Sequence, residues 1–219
     1  MLDAITTFDL DQRLPGGFQM PARMTVVRTD DGGLALVSPI PIDAQRAAEL
    51  AALGEVRWLV APNLLHHLYL CDAIARYPSA KVLAPRTLAA KRPDLRIDAP
   101  LDAPLPPALA ACLDVVAIDG APSVAEHALF HRPTRTLVLT DLVFNVRAPR
   151  GVVANVVLWL VGCHGKLAQS RTWRFFIKDR PAYAASVRRL LGLDVETLVV
   201  AHGDVVREDA RARLAAALA

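Results

Sequence analysis

The chain is poor in cysteine, lysine and aromatic residues. Its three cysteines, Cys71, Cys112 and Cys163, are odd in number and widely spaced, which argues against a disulfide framework or a cysteine zinc site. Their apolar neighbours predict three small buried side chains. Only four of the 25 basic residues are lysines, and no basic stretch is interleaved with aromatic residues, so the sequence does not favour nucleic-acid binding.

The sequence also lacks a long hydrophobic run. The most apolar stretch, residues 151–163, is shorter than the roughly 20 residues that a bilayer span requires. The first residues show no basic region followed by an apolar one, so we expect a cytoplasmic protein without a secretory signal. A hydrophobic content of 53% and a net charge of +3 predict a well-packed globular chain.

Strand and helix patterns alternate along most of the chain. Residues 1–23 are predicted to be irregular, with a turn at Pro15-Gly16-Gly17, and a hairpin follows around Asp30–Gly33. Helices are predicted at residues 44–53, with Asp43 as N-cap, and at 65–77, 86–91, 151–163, 181–191 and 207–218. Strands are predicted at residues 24–29, 34–38, 56–60, 80–83, 113–118, 126–131, 136–140 and 195–201. This order predicts a single layered α/β domain over residues 1–219, with mixed sheets.

Histidine is scarce, yet it recurs where predicted strands end. His66 and His67 follow one apolar strand, Asp141 follows another, and His202 follows a third, with Gly203 available for a sharp turn. Neighbouring side chains on a helix point about 100° apart, but at a strand-to-helix corner both histidines could converge on one point. Imidazole and carboxylate groups are common metal ligands, so these positions predict a metal site.

Two motifs in the chain resemble those of a known superfamily. Pro62-Asn63-x-x-His66-His67 and Thr140-Asp141-Leu142-x-Phe144-Asn145 resemble a branch, without assigned function, of the metallo-β-lactamase-fold superfamily. The resemblance runs from about residue 20 to residue 215. It implies an αββα sandwich and a site at the strand ends.

The chain departs from the superfamily's two-metal pattern in a consistent way. The positions of one metal's three histidines hold Pro62, Leu64 and, near the middle of the chain, Pro122. The positions of the other metal's ligands all keep residues that can bind a metal. The resemblance therefore implies one divalent metal, zinc first and iron or manganese as alternatives, held by His66, His67, Asp141 and His202.

Other residues are candidates for catalysis or substrate binding. Glu126, Asn63 and Asn145 are candidates for a base or for positioning water. Residues 142–180 form a basic, apolar insertion or lid that carries no acid as far as Lys178. Its candidate substrate-binding residues are Arg147, Arg171, Trp173 and Arg174. The segment predicts a small, anionic substrate. Two alternatives stay open, a contact with an anionic membrane, which the sequence favours less, and a buried helix with solvated ends.

The resemblance implies a metal-dependent hydrolase acting on an ester or phosphoester bond. Two alternatives remain at this point. One is a non-catalytic binding protein that keeps the fold. The other is a mononuclear iron oxidoreductase on the same fold.

Overall fold

Two β-sheets lie at the centre of the molecule. The structure is a computed structural model and describes residues 3–219. The first sheet has the order β1-β2-β3-β4-β5-β6, with β1 Ile5–Leu14, β2 Phe18–Arg28, β3 Gly33–Val37, β4 Glu55–Val60, β5 Lys81–Ala84 and β6 Ala99–Pro100. The second has the order β10-β9-β8-β7, with β7 Leu113–Ala117, β8 His127–His131, β9 Thr136–Leu139 and β10 Thr197–Val200.

Helices pack around the two sheets. They are α1 Ala44–Leu53, α2 Leu70–Arg76, α3 Leu88–Lys91, α4 Pro107–Ala110, α5 Val152–Leu160, α6 Trp173–Phe176, α7 Arg180–Leu191 and α8 Ala210–Leu218. The Asp43 side chain accepts a hydrogen bond from the Arg46 amide, so α1 begins with the N-cap that the sequence predicts.

Three apolar layers hold the sandwich together. The middle layer joins the inner faces of both sheets, with Trp58 and Leu83 from the first and Leu129 and Val199 from the second. Outer layers pack α1 and α2 on the first sheet and α7 and α8 on the second. The predicted αββα sandwich with mixed sheets is confirmed.

The N-terminal segment differs from the prediction. The sequence predicts an irregular segment at residues 1–23, of which residues 1 and 2 lie outside the described part of the chain, but β1 and β2 pair antiparallel over ten residues, joined by the turn at residues 15–17. The physical reason is that apolar and polar residues alternate along β1. Phe8 and Leu10 pack on the apolar layer between the first sheet and helices α1 and α2, and polar residues lie between them in the sequence.

Two other predictions are corrected. The helix expected from residue 65 begins only at Leu70, because residues 63–69 form bends and turns. Cys71 is exposed rather than buried, while Cys112 and Cys163 are buried as expected.

Strands β9 and β10 are parallel neighbours, with Leu139 opposite Val200. The residues that follow them therefore leave the sheet at the same edge. Strand β4 of the facing sheet delivers the loop at residues 61–69 toward that edge, where the Leu64 amide donates to the Val124 carbonyl. Among the described residues, no helix has the length and hydrophobicity that crossing a bilayer demands.

Candidate metal centre

Three side chains converge where the strands end. Nε2 of His66 lies 3.2 Å from Oδ2 of Asp141, and Nε2 of His202 lies 3.4 Å from Oδ1. The two Nε2 atoms are 3.2 Å apart. One donor atom from each residue falls within 4.8 Å of the others, and no other such group occurs among the described residues. Each of the three side chains is 10–12% exposed, so the cluster is largely but not completely buried.

Contacts on the far side of each imidazole orient the two rings. Nδ1 of His202 lies 2.7 Å from the Pro21 carbonyl oxygen, which can only accept, so Nδ1 carries the proton. In the neutral ring this tautomer leaves Nε2 without a proton and free to bind a cation, whereas in the charged ring Nε2 also carries a proton and can donate to Asp141. Nδ1 of His66 lies 2.6 Å from Oγ of Ser38. The ring of Phe144 stacks on His202 with centroids 5.0 Å apart.

Asn63 joins the first sheet's loop to the second sheet's carboxylates. Its Nδ2 lies 2.6 Å from Oδ2 of Asp141 and 3.0 Å from Oε2 of Glu126. Its Oδ1 accepts from the backbone amides of Leu65 and His66 at 2.8 and 2.7 Å. The side chain is fully buried. Asn63 therefore fixes the His66 backbone and the Asp141 carboxylate relative to each other.

Glu126 anchors the loop that carries Asp141. It is fully buried, and its carboxylate accepts from the backbone amides of Thr140, Asp141 and Leu142 at 2.8–3.2 Å. Because these bonds and the one from Asn63 engage both oxygens, the sequence candidate for a base has the role of a positioning residue in this structure. Burial, followed by the charge of Asp141, raises the pKa of Glu126.

The electrostatics of the cluster favour a positive charge at its centre. Burial acts to lower the pKa of His66, but the charge of Asp141 and its hydrogen bond outweigh burial, so the pKa is raised. Burial acts to raise the pKa of Asp141, yet the charges and hydrogen bonds of His66 and His202 hold it far below its usual value. Two imidazoles and one carboxylate are a donor set that suits a divalent transition metal.

His67 lies outside this group, contrary to the predicted four-ligand set. Its Nδ1 is 3.0 Å from Nη1 of Arg92, from which it accepts a hydrogen bond. Burial first, and then the charges of Lys91 and Arg92, lower the pKa of His67. The two histidines lie in a turn that directs their rings to different neighbours, so the expected convergence does not occur. A cationic neighbour also disfavours a metal ion at His67.

Asn145 and Gly203 shape the backbone beside His202. The Asn145 amide donates to the His202 carbonyl at 2.9 Å, and its Nδ2 donates to the Asp204 carbonyl at 2.7 Å. Gly203 has φ +108°, and a Cβ there would lie 2.1 Å from the Asn145 oxygen. The glycine predicted to allow a sharp turn is therefore required by a close backbone approach. Asn145 supports the backbone at residues 202–204. None of its hydrogen bonds joins it to the side chains of His66, Asp141 or His202.

The predicted substrate-binding residues fall in different places. A cavity of about 450 Å³ opens beside His202, next to Pro21, Ala201 and Gly203. Its charged lining combines three basic and three acidic side chains: Arg23, Arg147, Arg150, Asp9, Asp11 and Asp204. Arg147 is exposed there, and its role in substrate binding stays a prediction. Arg171 and Arg174 are exposed outside this lining. Trp173 is corrected: it is 2% exposed and belongs to the hydrophobic core, so it cannot meet a substrate at the surface.

Known structures share this architecture over the whole chain. A metallo-β-lactamase from Pontibacter korlensis superposes with a TM-score of 0.66 at 16% identity, covering 100% of this chain and 94% of the other. The chain has the metallo-β-lactamase fold. A metallo-β-lactamase from Hirschia baltica gives a TM-score of 0.61 at 10% identity, covering 98% of this chain and 94% of its own.

A third metallo-β-lactamase-fold structure is FIM-1 from Pseudomonas aeruginosa, solved in a mono-zinc form. It matches with a TM-score of 0.63 at 11% identity and covers 100% of this chain and 92% of its own. No protein-family model and no curated protein sequence matches the chain. At these identities the likeness establishes the metallo-β-lactamase fold alone.

Sequence reasoning missed the residues that orient the two rings. Ser38 and Pro21 come from the first sheet and act through a hydroxyl and a backbone carbonyl, for which no local pattern exists. Ser38 has φ +55°, a strained conformation for a residue with a side chain, and such positions cluster at functional sites. Glu126 is a sequence candidate because it is the first residue of the predicted strand at residues 126–131.

Proposed function

We propose that this protein is a metal-dependent hydrolase with a single divalent metal held by His66, Asp141 and His202. The observation that carries the proposal is the convergence of both Nε2 atoms on the Asp141 carboxylate within 4.8 Å. Both rings are already oriented by contacts at Nδ1, so little reorganisation is needed to bind a cation. Zinc is the first candidate, because three protein ligands with an open position are typical of catalytic zinc sites.

The chain's own residues supply orientation and charge for the reaction. A divalent cation at this position would supply Lewis-acid chemistry, activating water and polarising an ester or phosphoester bond. The Pro21 carbonyl keeps the proton of His202 on Nδ1, and Asn63 holds the Asp141 carboxylate in place. Arg147 lines the adjacent cavity and would attract an anionic group of a small substrate.

A mononuclear iron oxidoreductase is the second candidate. Two histidines and one carboxylate with open positions form the set that non-haem Fe(II) enzymes use. The group of three ligands fits an iron oxidoreductase better than the four-ligand set predicted from the sequence would. Purification under anaerobic conditions, followed by iron analysis and a test for a dioxygen-dependent spectral change, separates it from the hydrolase.

Elemental analysis of the purified protein tests the site. We expect about one transition metal per chain in the wild type, its loss in His202→Ala and Asp141→Asn, and its retention in His67→Ala. His67→Ala is the matched control, because that ring neighbours His66 in sequence but contacts Arg92. A wild-type protein that binds no transition metal, even after incubation with zinc, iron or manganese, would refute the proposal and favour a non-catalytic binding protein.

A further inference from the structure

Large apolar side chains are exposed in one part of the molecule. Among the described residues, six of the eight exposed large hydrophobic side chains come from α5 and α6. We call them the α5 patch: Val152 (81% exposed), Val153 (41%), Val156 (51%), Trp159 (69%), Leu160 (56%) and Phe175 (75%). Such a concentration on one surface is typical of an interaction site, whereas single exposed apolar residues are ordinary.

Helix α5 is apolar on the side that faces water. Ala154 and Leu158 are buried beneath it, as an amphipathic helix requires. Val152, Val156 and Trp159 recur at helical spacing on the outer side, where polar residues would normally stand. Phe175 joins this surface because α6 follows Arg171, whose amide donates to the Val161 carbonyl and whose guanidinium donates to the Leu160 carbonyl.

The segment of the chain that carries the α5 patch is basic. Residues 142–178 contain six basic residues and no acid, and all six are exposed: Arg147, Arg150, Lys166, Arg171, Arg174 and Lys178. Arg150 pairs with Asp11. The other five form no ion pair within residues 3–219. The chain's net charge is only +3, so this segment is far more basic than the average, and Asp9 and Asp11 of β1 are acids that line the same cavity as Arg147 and Arg150.

The basic residues near the α5 patch favour an anionic partner. A second copy of the chain would bring the same cations against these cations in a two-fold interface, which like-charge repulsion disfavours. An anionic lipid surface instead offers phosphate groups to arginine and lysine and an apolar layer beneath them. We propose that the α5 patch docks this protein on the surface of an anionic membrane. This proposal is independent of the metal centre.

The residues suit the two zones of a bilayer surface. Tryptophan prefers the boundary between headgroups and acyl chains, and Trp159 is the exposed tryptophan of this surface. Val152, Val156 and Phe175 would enter the same boundary, as the apolar face of an interfacial helix does. Lys166 and Arg174 would reach the lipid phosphates, with each cation contributing to attraction that salt screens.

Vesicle binding by the full chain tests the proposal. The protein is sedimented with vesicles of phosphatidylcholine alone and with vesicles containing phosphatidylglycerol. We expect binding to the anionic vesicles, loss at high salt, and quenching of tryptophan fluorescence by brominated acyl chains. Trp58 and Trp173 are 7% and 2% exposed, so acyl-chain quenching reports on Trp159.

Paired variants separate the patch from general charge effects. Lys166→Glu with Arg174→Glu should weaken partitioning at least about tenfold. The control, Arg76→Glu with Arg207→Glu, changes the net charge equally at exposed positions elsewhere and should bind nearly as the wild type does. Trp159→Ser with Phe175→Ser should reduce binding, whereas Leu68→Ser, an exposed apolar position outside the patch, should not.

Three results would overturn the proposal. The first is equal sedimentation with both kinds of vesicle. The second is an equal loss of binding in the patch variants and their controls. The third is a wild-type dimer, without vesicle binding, that becomes monomeric in Trp159→Ser with Phe175→Ser, since that result would make the patch an interface between copies.

Discussion

Asn63→Asp should destabilise the fold strongly at neutral pH and weakly in mild acid. The substitution keeps the size of the side chain and the oxygen that accepts from the Leu65 and His66 amides. It replaces the Nδ2 group, which lies 2.6 Å from Asp141 and 3.0 Å from Glu126, by a carboxyl oxygen. Three carboxyl groups would then share a buried site that now has one amide donor between two acids.

Two estimates of the loss in free energy of unfolding caused by Asn63→Asp agree. Two unit charges about 3 Å apart repel by about 5 kcal/mol at an effective dielectric constant of about 20. If the introduced carboxyl stays protonated instead, it costs about 1.4 kcal/mol for each pH unit above its unfolded pKa of about 3.9. That cost is about 4 kcal/mol at pH 7 and about 1.5 kcal/mol at pH 5.

The stability penalty of Asn63→Asp should grow with pH, because the folded and unfolded states bind the proton of the new carboxyl with different affinity. An acid whose folded pKa lies above its unfolded value destabilises the protein above the unfolded pKa, and the penalty disappears as the pH falls toward about 4. Urea unfolding of wild type and variant at pH 7 and pH 5, with a chelator in the buffer, measures the difference. Asn155→Asp, at a part-exposed asparagine on α5, is the control and should show a small penalty at both pH values. An equal penalty for Asn63→Asp at both pH values would refute the proposed contact with Asp141 and Glu126.

Three further predictions concern the backbone, the thiols and the metal. Gly203→Ala should cost about 3 kcal/mol or more, because a Cβ would meet the Asn145 backbone oxygen at 2.1 Å in a left-handed conformation. Gly16→Ala, at φ +77° and ψ 11° with no atom within 4 Å, should cost only about 1 kcal/mol, and thermal unfolding compares the two. A thiol reagent should label Cys71 rapidly in the native protein and leave Cys163 unreacted, since burial raises the pKa of Cys163 to about 11. Rapid labelling of more than one thiol before unfolding would contradict this burial. Metal retention should fail in His66→Ala but not in His67→Ala, and an equal loss in both would restore the four-ligand set.

The layered fold and part of the site could be predicted from the sequence. Asp141 and His202 follow short apolar strands, and parallel strands bring such residues to one edge, so local pattern and sheet geometry suffice. The different directions of the His66 and His67 rings could not be predicted. They depend on Ser38 on one side and Arg92 on the other, each about 25 residues or more away along the chain.

The N-terminal hairpin and the α5 patch show two other limits of sequence reasoning. Strand β1 alternates apolar and polar residues, but the alternation is a weaker signal than the turn residues at Pro15–Gly17. The apolar run at residues 151–163 predicted a helix correctly, since α5 covers Val152–Leu160. Its composition did not reveal which face is buried, because apolar residues occupy both faces. Burial of Ala154 and exposure of Trp159 are properties of the folded chain.

The number of ligands bears directly on the choice between a structural and a catalytic metal. Four protein ligands would close a tetrahedron, as in structural zinc sites, whereas three leave a position open to water or substrate. The structure brings together His66, Asp141 and His202, and it directs His67 to Arg92. Ser38 and Pro21 contact the outer nitrogens of the two rings, and Asn63 contacts the Asp141 carboxylate. The position that His67 leaves open supports the proposal of a catalytic rather than a structural metal.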